Sequence, residues 1–350
     1  AGLSLGLLAP TPAQAFCGFY VSGADAELYA NATMVALMRE GQRTVLSMQN
    51  NYSGPAESFA MVVPVPEVLG EEDVKTLNKQ VFDNLDRLSA PRLVEYWEKD
   101  PCKNKGFVIS PLLLWVSYYG RTVGSKFQNA NMAVATDVVF GDGNYGVAVE
   151  AEFAVGEYDI EVLSADDSSG LEAYLRANNY NIPPGAAPYL APYVADGSYF
   201  FVAKVDPARA TFENGRAILS PLRFEFEAPT FKLPVRLGMI NSQGEQDLVI
   251  YLIGNSRYVA ANYPNVQIPT NIEVDGSVKE SFGEFYQALF AATVEKNPGA
   301  VDTEYAWSMA AKCDPCPPEA PGTPDMASLG WQGNVFSGGT TLTRLHARYT

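Results

Sequence analysis

Histidine, the side chain most enzymes use to move protons near neutral pH, occurs once in these 350 residues, at His346. A nucleophilic triad needs an imidazole as its shuttle. Zinc, copper and non-haem iron sites usually draw on several. One histidine near the end of a strand-like run reads instead as a surface or half-buried strand residue. Carboxylates are plentiful, with 40 Asp and Glu. Asp137, Asp142, Asp166, Asp167 and Asp275 sit in local clusters, but no stretch has the alternating oxygen spacing of a calcium loop. They read more simply as turns and helix starts. A carboxylate pair could hydrolyse a glycoside, and 19 Tyr and 4 Trp could line a sugar-binding face. With so many acids such pairs arise in any fold, so their number discriminates nothing. Phosphate-cradling glycine loops are missing from the sequence. The residues therefore lead us to expect no catalytic, metal-binding or cofactor-binding set, and no cofactor.

The remaining reactive groups are Cys17, Cys102, Cys313 and Cys316. Cys313-Asp-Pro-Cys316 lacks the following His of a haem attachment site, since Pro317 stands there. A redox pair wants its first thiol at a helix N-terminus, which Pro315, Pro317 and Pro318 oppose. A four-thiolate zinc site with Cys17 and Cys102 stays open, as does a structural disulfide. In an oxidising compartment an even count favours two disulfides. The pairing Cys17–Cys102 with Cys313–Cys316 is preferred, because the second pair is local. The first would then close a long loop and contribute roughly 4–5 kcal/mol on the chain-entropy account.

That compartment is suggested by the N-terminus. A short apolar run through Leu3, Leu5, Leu7 and Leu8 precedes Ala13-Gln14-Ala15, the back half of a secretory signal. Retained, those leucines would form an apolar anchor. Phe16 precedes Cys17 where a lipoprotein signal wants a small residue. No other stretch suits a bilayer: Phe107 to Tyr119 is short and carries Ser110-Pro111. The balance of 24 basic and 40 acidic residues gives −16, which repels nucleic-acid phosphates and anionic lipid. We therefore expect a periplasmic or extracellular protein, with no nucleic-acid partner and membrane contact only through the N-terminal tail.

Positioning elements follow from periodicity. Ala32 to Met38 and Thr44 to Gln49 read as a hairpin, and Phe59 to Val65 as a strand stopped by Pro64 and Pro66. Val81, Phe82, Leu85 and Leu88 share a helical face. Ser89 could cap a further helix through Pro91, Leu93, Tyr96 and Trp97. Strands are expected at 112–119, 134–140, 145–155, 158–163, 199–205, 222–227, 231–237, 247–253 and 340–349. Ser169-Gly-Leu-Glu172 fits a capping box, and residues 182–197 a loop with a short helix. Leu248, Ile250 and Leu252 alternate with Val249, Tyr251 and Ile253, so both faces of that strand are apolar and it belongs at a sheet centre. Phe282, Phe285, Tyr286, Leu289, Phe290 and Thr293 make an amphipathic helix closed by Asn297-Pro298-Gly299. The fold class is α+β, predominantly antiparallel and sandwich-like, with a few amphipathic helices. A weak boundary near residue 165 separates a β-rich half, 16–165, from an α+β half, 166–350, after the tail 1–15.

Several stretches together resemble a known family. They are Cys17-Gly-Phe-Tyr-Val-Ser-Gly-Ala-Asp25, Asn51-Tyr-Ser-Gly-Pro55, Phe59-Ala-Met-Val-Val-Pro-Val-Pro66, Pro91-Arg-Leu-Val-Glu-Tyr-Trp97 and Phe200-Phe-Val-Ala-Lys-Val-Asp206. Further on come Leu219-Ser-Pro-Leu-Arg-Phe224, Leu233-Pro-Val-Arg-Leu-Gly238, Ala261-Asn-Tyr-Pro-Asn265, Ile268-Pro-Thr-Asn271 and Cys313-Asp-Pro-Cys316. They resemble a family of exported bacterial proteins known as a domain of unknown function. The resemblance implies export, one architecture, no assigned chemistry and a natural chain running on past Thr350. The expectation is a non-catalytic extracytoplasmic protein, a structural or accessory subunit docked on a membrane-associated complex with a protein partner at the cell envelope. The alternative is a periplasmic carboxylate-based enzyme or carbohydrate-binding module.

Overall fold

The computed structural model describes residues 32–49, 60–93, 145–178, 180, 182, 185–213, 216–241, 245–269, 272–310, 321–333 and 339–349. They belong to a compact unit formed by residues 1–93 and 140–350, and the second unit, 94–139, lies outside them. The strands expected at 112–119 and 134–140 also fall outside.

Strand β1 (Ala32–Glu40) turns back into β2 (Arg43–Gln49), as the hairpin pattern predicts. Next come β3 (Ala60–Val65), β4 (Val74–Thr76) and helix α1 (Gln80–Ser89). Then follow β5 (Val147–Val155), β6 (Tyr158–Ala165), α2 (Ser168–Ala177), α3 (Ala187–Ala195) and β7 (Tyr199–Val205). A small hairpin, β8 (Thr211–Glu213) with β9 (Arg216–Ile218), leads to β10 (Leu222–Glu227) and β11 (Gln246–Gly254). The chain continues through β12 (Asn265–Val266), α4 (Phe282–Lys296), β13 (Val301–Ser308), α5 (Thr323–Ser328) and β14 (Thr341–Tyr349).

Eight strands form one sheet in the order β12-β13-β14-β11-β1-β2-β10-β4, and four form another, β3-β7-β6-β5. Only β1–β11 and β12–β13 run parallel in the large sheet. The fold is therefore α+β with strands dominant. One face of each sheet meets the other: Val35, Leu37, Leu46, Met48 and Phe224 from the large sheet pack with Met61, Val63, Ile160, Phe201 and Ala203 from the small one. The other face of the large sheet takes Phe82 and Leu85 of α1 and Met326 of α5. The outer face of the small sheet takes Leu171 and Leu175 of α2 and Leu190 of α3. The two apolar faces of β11 are explained by this: Leu248 and Leu252 enter the layer between sheets, Val249 and Ile253 the layer under the helices.

Four local expectations change. The second helix from Ser89 is not present over residues 91–93. Ser89 is instead the last residue of α1, its hydroxyl donating to the Leu85 carbonyl at 2.7 Å. Ala90 is extended (φ −60°, ψ 144°), because the residue before a proline is pushed out of the helical region. At α2 the cap is Asp167, whose carboxylate accepts from the Ser169 and Gly170 amides. Glu172 reaches forward to the Gly185 and Ala187 amides rather than back. The expected strand 231–237 is irregular and runs into a 3-10 turn, Arg236–Asn241. Pro234 has no N–H for a ladder. Finally, β13 is a strand no pattern announced. Pro64 is tolerated inside β3 because β3 is an edge strand.

Candidate functional site

Three adjacent strands, β11, β14 and β13, carry the densest set of ionisable groups among the described residues, and their register assembles it. Arg344, His346 and Arg348 alternate along β14, so all three project from one face. Arg348 lies opposite Asp247 of β11, Arg344 opposite Tyr251, and His346 opposite Asp302 of β13. The β13–β14 register slips between Thr303 and Tyr305, which makes Glu304 the extra residue of a bulge. Bulges re-aim side chains, and this one places Glu304 between Arg344 and His346.

The contacts form a continuous ladder. Arg344 pairs with Asp86 of α1 and, through Nε at 2.5 Å, with Glu304. Tyr251 donates to the same Asp86 carboxylate at 2.9 Å. The His346 Nδ1 lies 2.7 Å from Glu304 Oε1, and Nε2 lies 3.7 Å from Asp247 Oδ1. Arg348 grips Asp247 with two bonds, 2.6 and 2.8 Å. From α4, the Tyr286 hydroxyl donates to Glu304 at 2.6 Å. The Phe290 ring lies flat on His346, centroids 3.6 Å apart and planes within 1°. The Ile268 amide donates to Asp302 at 3.0 Å.

Burial makes these charges costly unless each is paired. Arg344 and Asp86 are fully buried, and His346 is 1% exposed. Burial alone would drive Glu304 up, but His346 and Arg344 overcome it and hold the carboxyl down at about 2. Asp247 is likewise held at about 2, Arg348 and His346 outweighing its burial. Burial pushes the His346 imidazole down, and the charges of Glu304 and Asp247 more than reverse that, so it is raised. Asp302 is pushed up to about 6 by burial and by the neighbouring Glu304 charge. The three cations Arg344, His346 and Arg348 thus face Glu304 and Asp247, the two carboxylates held low, and Asp86. Both imidazole nitrogens face carboxylates, and Phe290 covers the ring. The arrangement ties α1, three strands and α4 together.

Two smaller polar clusters flank the sandwich. On the helix-covered face of the small sheet, Glu161 accepts from Tyr174 at 3.3 Å and lies directly opposite Glu152. Burial raises its pKa. At the other edge of the large sheet, Glu225 accepts from Arg43 and Arg223, each at 2.5 Å. Arg43 also donates at 3.2 Å to the carbonyl of Gly330, just past α5, and Arg223 at 3.4 Å to that of Ser328, the last residue of α5. Among the described residues no group of three or more His, Cys, Asp or Glu side chains is placed to hold a metal ion.

His346 corrects the sequence reading. It is neither at the surface nor half-buried but enclosed, because β14 lies inside the sheet between β13 and β11. Its partner Glu304 was missed with β13. The signal was there in weak form: Val301-Asp-Thr-Glu-Tyr-Ala-Trp-Ser308 has β-branched and aromatic residues, interrupted by acids that mimic a loop. Asp167 and Asp275 start a helix and a 3-10 turn, as expected. Cys17, Cys102, Cys313, Cys316, Leu3, Leu5, Leu7, Leu8, Asp137 and Asp142 lie outside the described residues.

An α+β protein with two stacked sheets and an internal charge ladder is the class this geometry defines. The chain belongs to the family described as an uncharacterized protein conserved in bacteria (DUF2330), which matches residues 11–350. No curated protein matches it. Two crystal structures of a mutated baculovirus P35 after caspase cleavage are similar at 13% and 9% identity. The matches cover 72% and 65% of this chain and 69% and 68% of theirs, each with a TM-score of 0.27. At that score the likeness carries no argument about fold or function.

Proposed function

We propose that this chain is a non-catalytic extracytoplasmic protein, a structural or accessory subunit docked on a membrane-associated complex of the cell envelope. The observation that carries the reading is the placement of the one histidine. His346 is enclosed, flanked by two carboxylates and stacked on Phe290, so the residue best suited to proton transfer serves the fold. The signal-like N-terminus supports export, with Leu3, Leu5, Leu7 and Leu8 as the membrane contact. Among the described residues no helix is long and apolar enough to cross a membrane. The acidic surface favours a partner with a basic face. Native cells should be fractionated and the protein isolated with a gentle crosslinker. Recovery outside the cytoplasm in a large envelope assembly is expected, whereas a monomeric cytoplasmic protein overturns the reading.

A second reading is a carboxylate-based enzyme or carbohydrate-binding module. One observation favours it: the Glu152–Glu161 pair beside Tyr174 and Tyr180, with Glu161 raised by burial. Binding to a panel of bacterial polysaccharides, lost in Glu161→Gln, would support it. No binding by the wild type would remove it.

A further inference from the structure

Two segments of this acidic chain contain no acid. Residues 228–241 and 254–272 lack Asp and Glu, although the chain has 40, and they carry Lys232, Arg236 and Arg257. All three of these side chains are exposed. Lys232 reaches Asp196, just past α3, at 3.2 Å. Arg236 and Arg257 meet no carboxylate among the described residues, whereas Arg43, Arg176, Arg209, Arg344 and Arg348 each have one. Apolar exposure gathers here too. Of the seven large apolar side chains exposed among the described residues, Val259, Tyr263 and Ile272 lie in the second segment.

Contacts join the two segments into one surface. The Phe231 ring meets that of Tyr258 edge-on, centroids 5.5 Å apart. The Tyr193 hydroxyl of α3 accepts from the Arg236 amide at 3.3 Å and lies within electrostatic reach of Tyr263. Arg39 seats the first segment by donating to the Ala228 and Pro229 carbonyls at 2.8 and 3.2 Å. Asn265 ties the second: its Oδ1 accepts from the Ala260 amide at 2.9 Å, and its Nδ2 donates to the Ala260 and Tyr263 carbonyls at 2.8 and 3.1 Å. A loop already fixed in this way loses little further freedom on binding.

We propose that this surface docks an acidic segment of a protein partner. This rests on the docked-subunit reading above and names the face that docks. Tyr and Arg gather at the cores of protein interfaces, while Lys, Asp and Glu are depleted there, and that is the composition found. Anionic lipid is recognised by clusters of roughly four to eight basic side chains, and these segments hold three. The chain as a whole, at −16, attracts basic faces, and here the sign is reversed. Arg236 and Arg257 take the partner's carboxylates, which a guanidinium can grip with two parallel bonds. Val259, 56% exposed, and Tyr263, 48% exposed, cover apolar side chains of the same segment.

Photocrosslinking in native cells tests this on the full chain. Tyr263→p-benzoylphenylalanine probes the surface, and Phe212→p-benzoylphenylalanine probes the exposed β8–β9 hairpin. Mass spectrometry reads what each captures. An acidic peptide is expected from position 263. Its yield should fall about tenfold or more when Arg236→Gln and Arg257→Gln are added together. Lys75→Gln with Lys79→Gln removes the same two charges from exposed positions on β4 and just before α1, and should leave the yield within about twofold. Equal losses in the two double variants, or capture of a lipid, a glycan or a peptide without excess acid, would overturn the surface. Capture from position 212 but not from 263 overturns it while the docked-subunit reading stands. Capture from neither position removes both.

Discussion

Glu304 shows how much can depend on one side chain. It accepts from Arg344, Tyr286 and His346 while its own side chain has no exposure. Replacing it with Gln keeps the shape but leaves two buried cations with one carboxylate fewer. Breaking a buried pair from one side costs about 3–5 kcal/mol, and urea denaturation should register a loss of that size. Tyr286→Phe removes one hydrogen bond to the same oxygen and should cost only about 0.5–1.5 kcal/mol. A ratio near one between the two losses would mean that charge is not what the site provides. None of this was legible at residue scale. The sequence shows a solitary His and an acid in an unremarked stretch, and pairing between positions 42 residues apart depends on a register that only the folded sheet supplies.

At the scale of elements, the helices and hairpins were the most legible parts. The 3.6-residue spacing of Val81, Phe82, Leu85 and Leu88 locates α1, and the structure buries those same side chains. Leu85→Ala should therefore cost about 2–5 kcal/mol, read from the thermal or urea midpoint. Helix starts were harder, because Asp167 and Ser169 are both competent caps and the choice depends on where the preceding strand ends. Gly170 shows that constraint. A Cβ there would fall 2.0 Å from the Tyr145 carbonyl oxygen, a backbone atom that cannot step aside. Gly170→Ala should shift the β5–α2 junction and lower stability by more than the few tenths expected of a surface helix substitution. At the exit of α5, Gly330 adopts φ +91°, and a Cβ would meet the Arg223 guanidinium at 2.7 Å. Gly330→Ala should displace Arg223 and alter the fluorescence of neighbouring Trp331. An unchanged spectrum with unchanged stability would contradict the packing described.

The whole molecule responds to pH through opposing groups. Glu304 and Asp247 are held at about 2. Their contribution is complete above the ordinary carboxylate range and is lost as pH falls toward 2. Asp302 and His346 have raised values, so theirs is complete at low pH and is lost as pH rises through the folded values. Calorimetric stability should accordingly peak in the mildly acidic range and decline on both sides. A maximum displaced to alkaline pH would show that the ladder does not govern the profile. Net charge acts separately: at −16 the surface repels itself, and screening shortens from about 30 Å to about 8 Å between dilute and physiological salt. Added salt should raise the melting temperature while leaving the pH of the maximum in place, because buried pairs are screened little.

By itself the sequence determined the quantities that depend on neighbours along the chain. Composition set the charge and the poverty in histidine, and periods of two and 3.6 residues set most strands and helices. Local sterics made Pro91 end α1, and family-wide stretches placed the chain in its family. What only the tertiary structure decided was which residues meet across long separations. Parallel pairing of β1 with β11, the bulge that turns Glu304 inward and the enclosure of His346 beneath Phe290 all depend on sheet order and register. A one-residue slip would send every one of these side chains to the opposite face. No local pattern encodes that choice, because its energy comes from burying two sheets and their helices against each other at once.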